Sequence, residues 1–166
     1  MSSSNAYSVQ DWLVHTVLGV GQIKAIEAKQ ISGSKVQYYR VEAAKSTFWL
    51  PIDRINNEEL RPLSTPAEIQ LVIAILRRSP KAMSSDHKIR KSKIRRVQQE
   101  NIPVDIARLI RDLQARQRER GELTLDEGNA MRSLTERLVE EWSTVTGEET
   151  DMVTSRIKEL LSNPNP

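Results

Sequence analysis

Thr65-Pro66-Ala67-Glu68 constrains this chain more than any other four residues. A threonine three residues before a glutamate forms a reciprocal capping box, and proline at the first helical position has its φ already set for a helix. Ile69, Val72, Ile73 and Leu76 follow at i, i+3, i+4 and i+7, a single apolar stripe. A helix therefore starts here, and the pattern on the two sides of it differs.

Upstream, short β-branched and aromatic runs alternate with turn residues. Asp11–Val17 reads as a first strand, followed by a break at Gly19-Val20-Gly21 and a second strand over Gln22–Lys29. Two glycines two apart suit a tight bend or bulge, and the chain has no glycine pattern of a phosphate-cradling loop. Ile31-Ser32-Gly33-Ser34 is a turn, Lys35–Ala43 a strand, Thr47–Leu50 another closed by Pro51, and Leu60–Leu63 a last short one after a polar connector, Asp53–Glu59. Residues 1–6 are small and polar and are expected to fray. Four or five such strands are too few for a sandwich and suit a small, strongly bent barrel of SH3 or Tudor type.

Downstream the helical signals accumulate. Pro80 ends the first helix, and Ser84, Ser85 or Asp86 can cap a second whose apolar residues are Ile89, Ile94 and Val97 alone. So narrow a stripe predicts a mostly exposed helix. Asn101-Ile102-Pro103 opens a third, with Ile106, Leu109, Ile110 and Leu113 on one face and Gly121 at its end. Thr124-x-x-Glu127 and Thr146-x-x-Glu149 repeat the capping-box pattern and open a fourth (Met131, Leu134, Leu138, Trp142 inward) and a fifth (Val153, Ile157, Leu160, Leu161). The expected fold is α+β: a Tudor/SH3-like β-barrel over residues 1–63, then a compact all-helical domain of about five helices over residues 64–166.

Charge is distributed unevenly. Arg77–Arg96 holds nine Lys or Arg residues and a single acid, Asp86, whereas residues 121–163 carry four basic against ten acidic side chains. The bland explanation of a charge run is a solvated helix face; the functional one is a polyanion partner at the basic centre. The arginines of the third helix and its exit extend the positive surface. No zinc-finger or recognition-helix pattern accompanies it, so contact with the phosphate backbone and with shape is expected in preference to a base code. The aromatics Tyr38, Tyr39, Phe48 and Trp49 either fill a small core or line an outward face, and an open sheet edge could take a strand from a partner protein.

Enzymatic chemistry finds little support. The chain has no cysteine, which excludes disulfides and thiolate sites, and its two histidines, His15 and His87, belong to no catalytic motif. The Glu140-Glu141 and Glu148-Glu149 doublets are assigned to helix capping and dipole complementarity. A metal-dependent nuclease built from these carboxylates is the enzyme-class alternative. No cofactor is expected, and with neither an apolar run of membrane length nor a secretory leader the chain is predicted to be soluble, cytoplasmic and monomeric.

Several runs together resemble a known family. Tyr7-Ser-Val-Gln-Asp-Trp-Leu-Val-His15, Gly19-Val20-Gly21-Gln22-Ile23, Ala25-Ile26-Glu27, Tyr38 in VQYYRV, Pro51 and Leu60-Arg61-Pro62-Leu63 are similar, in order and spacing, to the CarD/CdnL family of bacterial transcription regulators. Ile110-Arg111-Asp112-Leu113, Arg118-Glu119-Arg120-Gly121 and the Thr124–Glu127 start extend the likeness over residues 7–162. It implies a Tudor-like domain that docks on the β subunit of RNA polymerase by extending a sheet. It also implies a helical domain that lies on promoter DNA at the upstream edge of the transcription bubble and modulates open-complex stability. Lys29 and Trp49 fall where the family places polymerase contacts, with Tyr38 assigned beside them. His87, Lys88, Arg90, Lys91 and Arg116 fall in its DNA-facing region. His87 stands where the family usually has a tryptophan wedge, with Met83 as a shifted substitute, and Gly128 and Ser133 replace lysines common on the fourth helix. The alternative function is a stand-alone protein binding RNA or DNA without polymerase.

Overall fold

The computed structural model describes residues 7–55 and 58–165. Residues 1–6, and positions 56 and 57 within the polar connector, lie outside the described residues. The chain divides into two units, Met1–Leu63 and Ser64–Pro166.

The first unit is an antiparallel sheet of β1 (Trp12–His15), β2 (Gly19–Ile31), β3 (Ser34–Ala43), β4 (Thr47–Pro51) and β5 (Leu60–Pro62), with a 3-10 turn at Ile52–Arg54. The strand order is β4-β3-β2-β1-β5, so four strands run as a meander and the fifth returns to pair with the first. Among the described residues no ladder joins β4 to β5; the strands form an antiparallel five-stranded sheet compatible with the expected Tudor type. The Gly19–Gly21 segment, expected as a break between strands, is the start of β2. The departure from regular register comes later, between Ile23 and Ala25, where Lys24 is an extra residue that bends this long strand. Gly21 is needed for closeness of approach: a Cβ built on it would lie 2.4 Å from Cγ1 of Val41. Between β2 and β3, Ser32 (φ 49°) and Gly33 (φ 81°) are both left-handed, as a two-residue hairpin loop of the primed type requires.

Alternation along the strands sends Leu13, Ile23, Tyr39, Val41 and Leu60 into one small core, with Tyr7, Phe48 and Leu50 packed around it. Tyr39 is fully buried, yet its hydroxyl is satisfied. It donates to the carbonyl of Tyr7 (2.8 Å) and accepts from the Tyr7 N–H (3.3 Å), which ties the N-terminal segment across the sheet.

The second unit comprises α1 (Pro66–Arg77), α2 (His87–Glu100), α3 (Pro103–Arg120), α4 (Leu125–Thr146) and α5 (Thr150–Ser162). The Thr65 and Thr124 capping boxes both form, with side chain and backbone exchanged in each. The Thr146 box does not. Helix α4 runs through Thr146 to a C-cap at Gly147, and the Thr146 hydroxyl donates back to the Trp142 carbonyl, so α5 begins after Glu149 without a side-chain cap. All five helices contribute to one core around the fully buried Trp142, Leu109, Leu113, Leu134 and Val153. Glu141, expected to serve helix capping at a helix start, lies mid-helix and buried. Its Oε1 accepts from both the N–H (2.9 Å) and the hydroxyl (2.6 Å) of Ser64, fixing the approach to α1. The described helices include none long and apolar enough to cross a membrane.

Candidate interaction surfaces

The first surface follows from the period-two alternation of β2, β3 and β4. Because Tyr39 and Val41 point into the core, Tyr38 and Arg40 must point away from it. The register then sets Glu27 opposite Tyr38 and Arg40 opposite Trp49. The outcome is one contiguous cluster. The Lys29 ammonium stands 4.2 Å from the Trp49 ring centroid and 5.6 Å from that of Tyr38. The indole N–H of Trp49 donates to Glu27 Oε2 (2.9 Å), and Glu27 Oε1 lies 3.1 Å from Arg40 Nε. Trp49 keeps 41 % of its surface exposed on an edge strand. Lys29, Tyr38 and Trp49 are therefore brought together, as a half-exposed aromatic platform capped by a cation. Sequence reasoning missed Glu27 and Arg40. Their signal was available in the same alternation, two residues before Lys29 and two after Tyr38.

His15, the histidine of this unit, is structural. Its Nδ1 accepts from the N–H groups of Val17 and Leu18, both at 3.1 Å, and closes the loop between β1 and β2. Burial lowers its pKa below the ordinary value, opposed by Glu59, whose carboxylate is 3.8 Å from Nε2.

The second surface is centred on α2. Asp86 caps it through a bond from the Lys88 N–H (2.8 Å), and Arg90, Ile94 and Val97 form its inward face at i, i+4, i+7. Burial of Arg90 departs from its expected place among the exposed DNA-facing cations. Its Nε donates to Glu127 Oε1 (2.6 Å) and its Nη1 to the carbonyls of Ser84 and Ser85 (3.0 and 2.8 Å). Arg116, also expected to face DNA, has a largely buried side chain whose Nε lies 3.4 Å from the other oxygen of the same carboxylate. A narrow apolar stripe is extended inward by an arginine because Glu127 waits to neutralise it. Burial would push the Glu127 carboxyl up; the Arg90 bond, the Thr124 backbone bond and the two guanidinium charges outweigh it and hold the group below the usual carboxylate range.

His87 and Lys88 remain exposed at the start of α2, and Lys91 is exposed with Asp126 3.8 Å away. His87, Lys91, Arg95, Asn129 and Ser133 line a groove of about 390 Å3 between α2 and α4. Met83 is half-buried against the helical core, so of the two candidates for the wedge position only His87 is exposed. Among the described residues no three His, Asp or Glu side chains gather as a metal site.

No curated protein matches the chain. Residues 7–64 match the family model of the CarD-like/TRCF RID domain. This is the Tudor-like domain that interacts with RNA polymerase, and the matched span holds the whole five-stranded sheet together with the Lys29–Tyr38–Trp49 cluster. Over this span, about a third of the chain, the protein carries a CarD-like RID domain, which gives it an RNA polymerase-interacting role in transcription.

Proposed function

We propose that this protein is a non-enzymatic, monomeric adaptor that joins the β subunit of RNA polymerase to promoter DNA at the upstream edge of the transcription bubble and so modulates open-complex stability. The observation that carries the proposal is the coexistence, in one chain, of a polymerase-interacting domain and a helix whose exposed side is cationic at Lys88, Lys91, Arg95 and Arg96. On the sheet, Trp49 supplies an aromatic anchor, Lys29 and Tyr38 flank it, and the outer edge of β4 is available to add a partner strand. On the helical unit, Lys88 and Lys91 neutralise backbone phosphates, with His87 beside them at the groove mouth. Arg90 and Arg116 act indirectly, by holding α2 in place through Glu127. Retention of the polymerase β subunit on the immobilised full chain tests the first half. Wild type retains it, and Trp49→Ala weakens retention at least tenfold, about the 1.4 kcal/mol or more expected for losing a central aromatic anchor. Equal retention by the variant would remove this face from the polymerase contact.

A further inference from the structure

The basic stretch Arg77–Arg96, continuous in sequence, is divided by the fold. At 3.6 residues per turn, Lys93, Arg96 and Val97 lie on the flank of α2 away from His87, Lys91 and Gln98. There they meet the segment joining α1 to α2 and the first turns of α3. A groove of about 430 Å3 results, lined by Arg78, Lys81, Lys93, Arg96, Arg108 and Arg111.

Among the described residues two acids, Asp105 and Asp112, line this groove, and both are occupied. Asp105 is bonded to Arg108 (2.7 Å). Asp112, almost fully buried, accepts from the Lys81 N–H (3.0 Å) and Arg111 Nε (2.9 Å), with the Lys93 ammonium 3.9 Å away. Arg78, Lys81 and Arg96 are exposed, and none of their charged groups has an acidic partner among the described residues. The α1–α2 segment that carries Arg78 and Lys81 is held in place. The Arg77 carbonyl accepts from the Asn165 N–H (2.6 Å), and the Ser79 hydroxyl donates to the Asn165 carbonyl (3.0 Å), so the C-terminal residues strap the α1–α2 segment. Three uncompensated cations on a braced rim, above a floor whose charges are already balanced, make a preorganised polyanion site.

We infer that this α1–α2–α3 groove is a second nucleic-acid contact, gripping the phosphodiester backbone of one strand through Arg78, Lys81 and Arg96, separate from the α2–α4 face. A nucleic-acid strand carries one charge per about 3.4 Å, a density suited to three cations around one groove. Lys88 and Lys91, outside this groove, would hold other phosphates of the same polymer.

The test uses the full chain and a short fluorescein-labelled DNA, as duplex and as single strand, with anisotropy read across a range of salt. Arg78→Ala/Lys81→Ala/Arg96→Ala should weaken binding about equally for unrelated sequences and lower the log–log salt slope by about 2–3, one phosphate per cation. Arg78→Lys/Arg96→Lys should keep the slope. Lys88→Ala/Lys91→Ala reads the other face. If only the triple variant loses slope, the groove stands and the α2–α4 assignment falls. Unchanged affinity and slope in the folded triple variant would overturn the inference. So would displacement of the DNA by polyglutamate at equal charge concentration, since the groove would then be an acidic-peptide site.

Discussion

Glu127 is the residue whose loss should tell most about how the basic helix is held. Its side chain is 2 % exposed and that of Arg90 6 %, with 2.6 Å between Oε1 and Nε. The second oxygen is shared by Arg116 (3.4 Å) and the Thr124 N–H (3.3 Å). Glu127→Ala therefore leaves a buried guanidinium without its counter-charge, a change that costs about 3–5 kcal/mol. It also removes the reciprocal half of a capping box, about 1 kcal/mol more at most because the Thr124 half remains. Urea unfolding of the full chain followed by far-UV circular dichroism, which reports the helical unit, measures the loss. Arg90→Met keeps the aliphatic stem and leaves Glu127 its Arg116 partner, so it should cost less. The double variant should fall well short of the sum of the two single ones, since the side chains are in contact. The carboxyl also links stability to pH. Its folded pKa is depressed, so its contribution is fully present above the unfolded carboxylate range and is lost as pH falls through the folded value. Wild type should lose stability on acidification more steeply than Glu127→Gln. A loss below about 1 kcal/mol in Glu127→Ala, with matching pH profiles, would show that the pair is solvated and that Arg90 does not anchor α2.

Gly21→Ala should destabilise the sheet unit by about 1–3 kcal/mol, because its new methyl would meet Val41 Cγ1 at 2.4 Å; thermal unfolding followed by near-UV signals of the sheet's aromatics measures it, and an unchanged midpoint would mean that Val41 moves aside freely. His15 has a folded pKa held below its unfolded value, chiefly by burial, so its contribution is present above about pH 6.5 and fades as pH drops through the folded pKa. Denaturation of the sheet unit between pH 7 and 5 should therefore be steeper in wild type than in His15→Gln, and parallel curves would refute the linkage. Lys29→Met should leave stability within about 1 kcal/mol, the size of an exposed cation–π contact, while reducing retention of polymerase on the immobilised chain; loss of folding in its place would make Lys29 a structural residue.

What was legible in the sequence was local. Thr65 and Glu68, or Thr124 and Glu127, are three residues apart and determine each other's role within one turn, so those helix starts were readable. Thr146 and Glu149 carry the same spacing, yet α4 already occupies Thr146 and Gly147 takes the left-handed cap. Which of two overlapping helix signals prevails depends on how far the packed face of α4 extends, down to Trp142 and Val145. Tyr38 and Tyr39 had to face opposite ways, but only the pairing with β2 and β4 decides which of them is core. The inward turn of Arg90 was least legible. Its partner lies 37 residues away on another helix, and a rule that counts apolar residues registers a charged one as surface. The same blind spot read the second helix as mostly exposed, whereas α2 in fact lines grooves on two flanks with different cations.

The central claim is that polymerase contact and DNA contact act together through one chain, and the lifetime of the open complex on a single promoter tests it most directly. Lifetimes are measured for polymerase alone and with wild type, Trp49→Ala or Lys88→Ala/Lys91→Ala. Wild type should change the lifetime, and each variant should return it towards that of polymerase alone. An effect that persists undiminished in both variants, or no effect of the wild type, would contradict the account.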